Sequence, residues 1–81
     1  MLVTNTKRLS EVAIGVPVII RRIEADDLFL KLMEMGFIPG ETVTIEQVAP
    51  LGDPISIQVA GYNLSLRLNE AYRVIVEERV V

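Results

Sequence analysis

Between Tyr62 and Asn69 apolar and polar side chains alternate without a break. Tyr62, Leu64, Leu66 and Leu68 fall on one side; Asn63, Ser65, Arg67 and Asn69 fall on the other. Successive side chains of a strand point to opposite faces, so the run predicts a strand with one face on a core and one in water. Such a strand needs neighbours, and the chain offers them as short apolar runs separated by turn formers. Val16–Glu24 is rich in Val and Ile, which favour pleated, half-buried surfaces, and Pro17 suits an edge position or the start of a strand. Thr42–Val48 carries Val43 and Ile45 in alternation. Ile55, Ile57 and Val59 alternate in a third run, and Tyr72–Glu77 closes the chain with Val74 and Val76 inward.

The connections read as turns. Pro39-Gly40 is a turn signal, Pro50-Leu51-Gly52-Asp53-Pro54 is a loop, and Ala60-Gly61-Tyr62-Asn63 has the composition of a tight hairpin turn. Asn69-Glu70-Ala71 is expected to turn, as a single helical turn. Residues 1–6 are expected to be a loose end. Thr6–Val12 is expected to form a short helical turn, with Leu9, Val12 and Ala13 at helical spacing and Gly15 ending it.

One helix is expected, over Asp27–Met35. Asp26 or Asp27 can cap it, because a carboxylate accepts orphan backbone N–H groups. Gly36 fits the residue after its end and Pro39 follows shortly. Leu28, Leu32 and Met35 share one face, which belongs against the core. At about 100° per residue, Phe29 and Met33 fall to the side of that face and Leu30 falls nearly opposite it. A helix with one buried face does not require all three to be apolar: either the barrel mouth and an adjacent loop wrap them, or they form an exposed apolar patch. Five short strands and one helix between the first two describe a mainly β protein, a small five-stranded antiparallel barrel with the helix plugging one open end. Eighty-one residues make one domain over 1–81, with its core about 7–77.

Absences exclude whole classes of chemistry. The chain has no cysteine, so no disulfide and no thiolate, and no histidine, the commonest general base and transition-metal ligand. Its net charge of -3, from eight basic and eleven acidic residues, is wrong for a non-specific nucleic-acid binder. The longest apolar stretch, Val12–Ile20, is interrupted by Gly15 and Pro17 and is far short of the ~20 residues a spanning helix needs. The N-terminus lacks a basic segment followed by an apolar one, and a cytoplasmic location is expected. Gly36, Gly40, Gly52 and Gly61 form no phosphate-binding loop. Asp26, Asp27, Glu34, Glu46, Glu77 and Glu78 could offer oxygen to a divalent cation, but iron(II) also prefers imidazole or thiolate, so solvated carboxylates and caps are expected. Arg21, Arg22, Arg67 and Arg73 could each serve as an arginine finger in trans; surface charge is the expected role. No catalytic residue, cofactor site or metal site is expected.

The ordered features resemble the FeoA domain family. Lys31-Leu32-Met33-Glu34-Met35-Gly36-Phe37-Ile38-Pro39-Gly40 is similar to its signature, followed by the strand Val43-Thr44-Ile45. Gly52-Asp53-Pro54, Gly61, Leu64-Ser65-Leu66-Arg67, Glu70-Ala71, Val74-Ile75-Val76 and, at the start, Leu9-Ser10 and Gly15 match its later and opening steps, so the resemblance covers about residues 7–77. Lys31 stands where the family usually has Arg; it keeps the charge and loses the bidentate fork.

The resemblance implies an SH3-like barrel. It also implies an accessory role in bacterial ferrous iron uptake, acting on FeoB, the membrane transporter with a cytoplasmic GTP-binding domain. Similar domains end the DtxR-like metal-dependent repressors, but this chain shows no helix-turn-helix. Phe29, Leu30, Met33 and Leu51 are the expected partner-binding residues, for the transporter or for a second copy of the chain. The rival readings are a GTPase-activating factor acting in trans and a generic SH3-like peptide-binding module. The few aromatics, Phe29, Phe37, Tyr62 and Tyr72, weaken the Pro-rich peptide version of the latter. Neither nucleic acid nor membrane insertion is expected.

Overall fold

The computed structural model describes residues 3–24 and 26–80, with side chains except at positions 3, 4, 26, 79 and 80. Six strands form one antiparallel sheet: β1 (Val3–Arg8), β2 (Val18–Ile23), β3 (Thr42–Val48), β4 (Ile55–Val59), β5 (Tyr62–Leu66) and β6 (Val74–Val80), in the order β1-β6-β2-β3-β4-β5. Helix α1 (Asp26–Glu34) lies between β2 and β3, and the one-turn helix α2 (Leu68–Ala71) between β5 and β6.

The mainly β class is as expected; the strand count and closure are corrected. The segment read as a loose end running into a helical turn is instead β1, and only Leu9–Glu11 turn helically, as a 3-10 turn. Thr4, Asn5 and Thr6 give β1 no apolar alternation, so nothing local announces a strand. The backbone groups on its inner side pair with β6, from Val3 opposite Val80 to Arg8 opposite Ile75. Leu9 and Val12 are buried as the helical spacing suggested, but Ala13 is exposed. The sheet is not closed: β1 and β5 are its edges.

The core is one cluster to which β2 to β6 contribute through alternate residues. Val18 and Ile20, Val43 and Ile45, Ile55, Ile57 and Val59, Leu66, and Val74 and Val76 meet Leu32 and Phe37 there. A flat sheet could not bring all these residues to one centre. The register shifts between Ile20 and Arg22 on β2 and between Ile45 and Gln47 on β3; bulges bend and twist strands where they occur, so the sheet curls round the core. Ile75 is buried as well, although alternation points it away from Val74 and Val76; the register sets Arg8 and Arg22 on either side of it.

Two local elements follow their sequence signals closely. The N–H of Phe37 donates to the Leu32 carbonyl at 2.9 Å and that of Gly36 to the Met33 carbonyl at 3.1 Å, the paired bonds of a Schellman stop. Gly36 has φ +95°, and Leu32 and Phe37 on either side of the stop are both fully buried. The β4–β5 hairpin turns on Ala60 and Gly61, with φ 50° and 84°, so Tyr62 and Asn63 already belong to β5. Two positive φ values make the turn whose twist matches that of the strands.

The alternation at β5 runs one residue pair too far. Leu66 is buried and Leu64 packs against the core, but the strand ends there, and Leu68 opens α2 with 40% of its surface exposed.

Candidate partner-binding site

Helix α1 turns Leu32 fully into the core, with Leu28 and Met35 packed against it. Lys31 therefore faces sideways. Its Nζ donates to Glu70 Oε2 at 2.8 Å, linking α1 to α2. Glu70 Oε1 accepts the backbone N–H of Arg67 at 3.0 Å, so one carboxylate serves the helix start and the ion pair together. The bond from Lys31, first, and that from Arg67 hold the Glu70 carboxyl below its ordinary value, against the opposing effect of desolvation. Across from them the loop after β3 sends in Asp53, whose Oδ1 accepts the N–H of Leu68 at 2.9 Å. Lys31, Met35, Asp53, Pro54, Ser65, Arg67 and Glu70 line a cleft of about 450 Å³.

Of the residues expected to bind a partner, Leu30 is 67% exposed, Phe29 is 37% exposed and Met33 is half-buried. Leu30 lies nearly opposite Leu32 on α1, and Phe29 and Met33 lie to the side of the buried face. Leu51, at the tip of the loop, is 96% exposed. The structure brings that loop to α1 on the Lys31–Met35 side, through Asp53 and Pro54.

Several other charged residues form cross-strand and corner pairs. Arg8 Nη1 donates to Glu24 Oε1 and to the Tyr72 carbonyl, each at 2.7 Å, and its guanidinium lies 4.1 Å from the centre of the Tyr72 ring. The bond from Arg8 is the main cause that lowers the Glu24 pKa, and the Arg8 pKa is raised in turn. Arg22 reaches Glu24 at 3.6 Å, Arg21 reaches Glu77 at 3.5 Å and Lys7 reaches Glu78 at 3.7 Å. Arg67 does not lie within the strand as the alternation suggested; it sits exposed at the start of α2. Arg73 borders a smaller recess with Asp27, Leu28, Asn69 and Glu70. Asp26 and Asp27 stand inside the first turn of α1 rather than at its cap, and the Asp26 side chain and residue 25 lie outside what the structure describes. Among the described residues no three carboxylates come together as a cation site.

Sequence reasoning passed over Asp53, Glu70, Arg8 and Glu24 as site-building residues. Glu70 had a signal, since an acidic residue three positions after Arg67 is capping-box spacing. The others act across 15 or more residues, and no local pattern marks them.

A curled antiparallel sheet with one helix against its core defines a small SH3-like β domain. The chain belongs to the FeoA domain family, which it matches over residues 7–78. It is 44% identical over 71 residues to the Fe(2+) transport protein A/Fe(2+) transporter FeoB fusion protein of Porphyromonas gingivalis, covering 86% of this chain and only 8% of that protein. The solution structure of iron(II) transport protein A from Clostridium thermocellum superposes with a TM-score of 0.82 at 47% identity, over 88% of this chain and 44% of that one. The crystal structure of Stenotrophomonas maltophilia FeoA complexed with zinc, a prokaryotic SH3 domain protein, gives 0.75 at 31% identity, over 88% of this chain and 94% of that one.

Proposed function

We propose that this domain is a non-enzymatic accessory module of bacterial ferrous iron uptake, acting in the cytoplasm by binding the cytoplasmic part of an FeoB-type transporter. The observation that carries the proposal is the Porphyromonas gingivalis relative, in which a region 44% identical to this domain is joined to FeoB in one chain. Fusion turns docking into an intramolecular event, where a weak surface suffices. Leu30 and Phe29 on α1 supply an exposed apolar surface beside the charged cleft, and apolar side chains exposed together are the usual material of a docking site.

The test is calorimetric titration of the domain into the soluble cytoplasmic part of its cognate transporter. Saturable binding is expected, and a folded Phe29→Glu, Leu30→Ser double variant should lose it. No heat of binding, or unchanged binding by that variant, would count against the reading. GTP hydrolysis by the same soluble part, measured with and without the domain, tests the rival in which the domain is a GTPase-activating factor. Of the five arginines whose side chains are described, Arg8, Arg21 and Arg22 are ion-paired with carboxylates of the domain itself, which favours the accessory role over a finger in trans for these three.

A further inference from the structure

The two edges of the open sheet are unlike. Edge β1 carries Lys7 and Arg8, both held in ion pairs, and charge on an edge discourages a foreign strand. Edge β5, Tyr62-Asn63-Leu64-Ser65-Leu66, has no charged residue, no proline and no break in register against β4. It has none of the usual devices that blunt an edge.

The hairpin register decides which backbone groups that edge presents. Val59 opposes Tyr62 across a two-residue turn, so this pair exchanges its hydrogen bonds directly. Bonded and non-bonded pairs alternate along antiparallel strands. Leu64 and Leu66 therefore also bond β4, while the N–H and C=O of Asn63 and Ser65 point away from it. Both residues are exposed, and among the described residues nothing bonds these outward groups. At Ser65 the edge runs into the cleft that Met35 and Pro54 line with apolar surface and Lys31, Arg67, Asp53 and Glu70 line with charge of both signs.

We infer that β5 is a strand-addition site, which takes an extended segment of a partner protein as a seventh strand bonded to Asn63 and Ser65. Main-chain bonds give such a site its affinity, and the pocket for alternate side chains gives its selectivity. A bare donor–acceptor edge asks for an extended backbone, and the cleft beside Ser65 accepts side chains from one face of it. The inference goes beyond the transporter-binding role, because it names a place and a mode of binding that hold for any partner presenting such a segment.

The test selects decapeptides from a random displayed library against the intact chain and maps the enriched peptides by amide chemical shifts. The expected result is shifts centred on Asn63 and Ser65. Ser65→Pro should weaken binding at least tenfold, since it removes one outward N–H and leaves the bonds to β4 in place; Ser65→Ala should bind as before. Should Ser65→Pro fail to fold, N-methylation along the peptide supplies the same information on the unaltered protein. Methyl groups on alternate residues should abolish binding and those between should be tolerated. No enrichment, shifts elsewhere, binding indifferent to the position of methylation, or an edge already filled by a second copy of the chain would each overturn the inference. Peptide binding at β5 without transporter binding would leave this inference standing and remove the proposed function. Transporter binding without peptide binding at β5 would do the reverse.

Discussion

Asp53 Oδ1 lies 2.9 Å from the backbone nitrogen of Leu68 and accepts its hydrogen bond, so a residue of the loop after β3 caps a helix 15 positions further on. Helix α2 has only four residues and no side-chain cap from Arg67 before it, so this distant carboxylate takes the place of a local one. Replacing Asp53 by Ala should cost about 1 kcal/mol, the usual worth of a capping side chain. Asn, which keeps an acceptor oxygen, should cost less. Urea denaturation of the three proteins checks the order; equal midpoints for Asp and Ala would show that water satisfies Leu68 as well.

The Glu70 carboxylate predicts a pH dependence. Its pKa is lowered on folding, mainly by the bond from Lys31, and that of Glu24 is lowered mainly by Arg8. A depressed folded pKa means that the stabilisation is complete above the ordinary value of 4.5 and is lost as pH falls through the folded values. Stability should therefore be flat near neutrality and decline below about pH 4.5. Glu70→Gln should make the decline shallower. Because Lys31 is largely exposed, the ion pair itself should be worth only ~0.2–1 kcal/mol in a double-mutant cycle and fade with salt. Denaturation midpoints across pH 3 to 7 measure both.

Gly36 is constrained twice. Its φ of +95° disfavours any L side chain, and an added Cβ would stand 3.3 Å from the Ala60 Cβ on the β4–β5 turn. Gly36→Ala should cost about 1–2 kcal/mol through the left-handed backbone, and more if the neighbouring turn cannot yield. The cycle with Ala60→Gly isolates the second part: a favourable coupling shows the crowding, and no coupling assigns the whole cost to φ.

Leu51 should be dispensable to the fold. It is the most exposed large apolar residue among those described, and surface substitutions away from special features stay within about 0.5 kcal/mol. Leu51→Ser should keep the wild-type urea midpoint. Calorimetric binding to the transporter's soluble part then decides whether Leu51 acts with Phe29 and Leu30 or apart from them.

The amino-acid sequence by itself determined the features that depend on a few consecutive residues. Periodicity of 3.6 set the buried face of α1, and Gly36 marked its end because only a residue tolerant of positive φ can make that stop. Ala60-Gly61 marked the hairpin, and period two marked β3 and β4. The ordered motifs from Leu9 to Val76 indicated the family. Only the tertiary structure decided the rest. β1 is a strand because β6 is there to bond it, and its own polar residues carry no such instruction. Leu68 leaves the alternation of β5 for a helix whose first N–H is bonded by Asp53. The cleft joins Lys31, Asp53 and Glu70 from three segments. The division has one physical reason: periodicity and turn chemistry act over a few neighbouring residues, whereas strand pairing, distant caps and ion pairs exist only once the curled sheet has brought remote residues within a few ångströms.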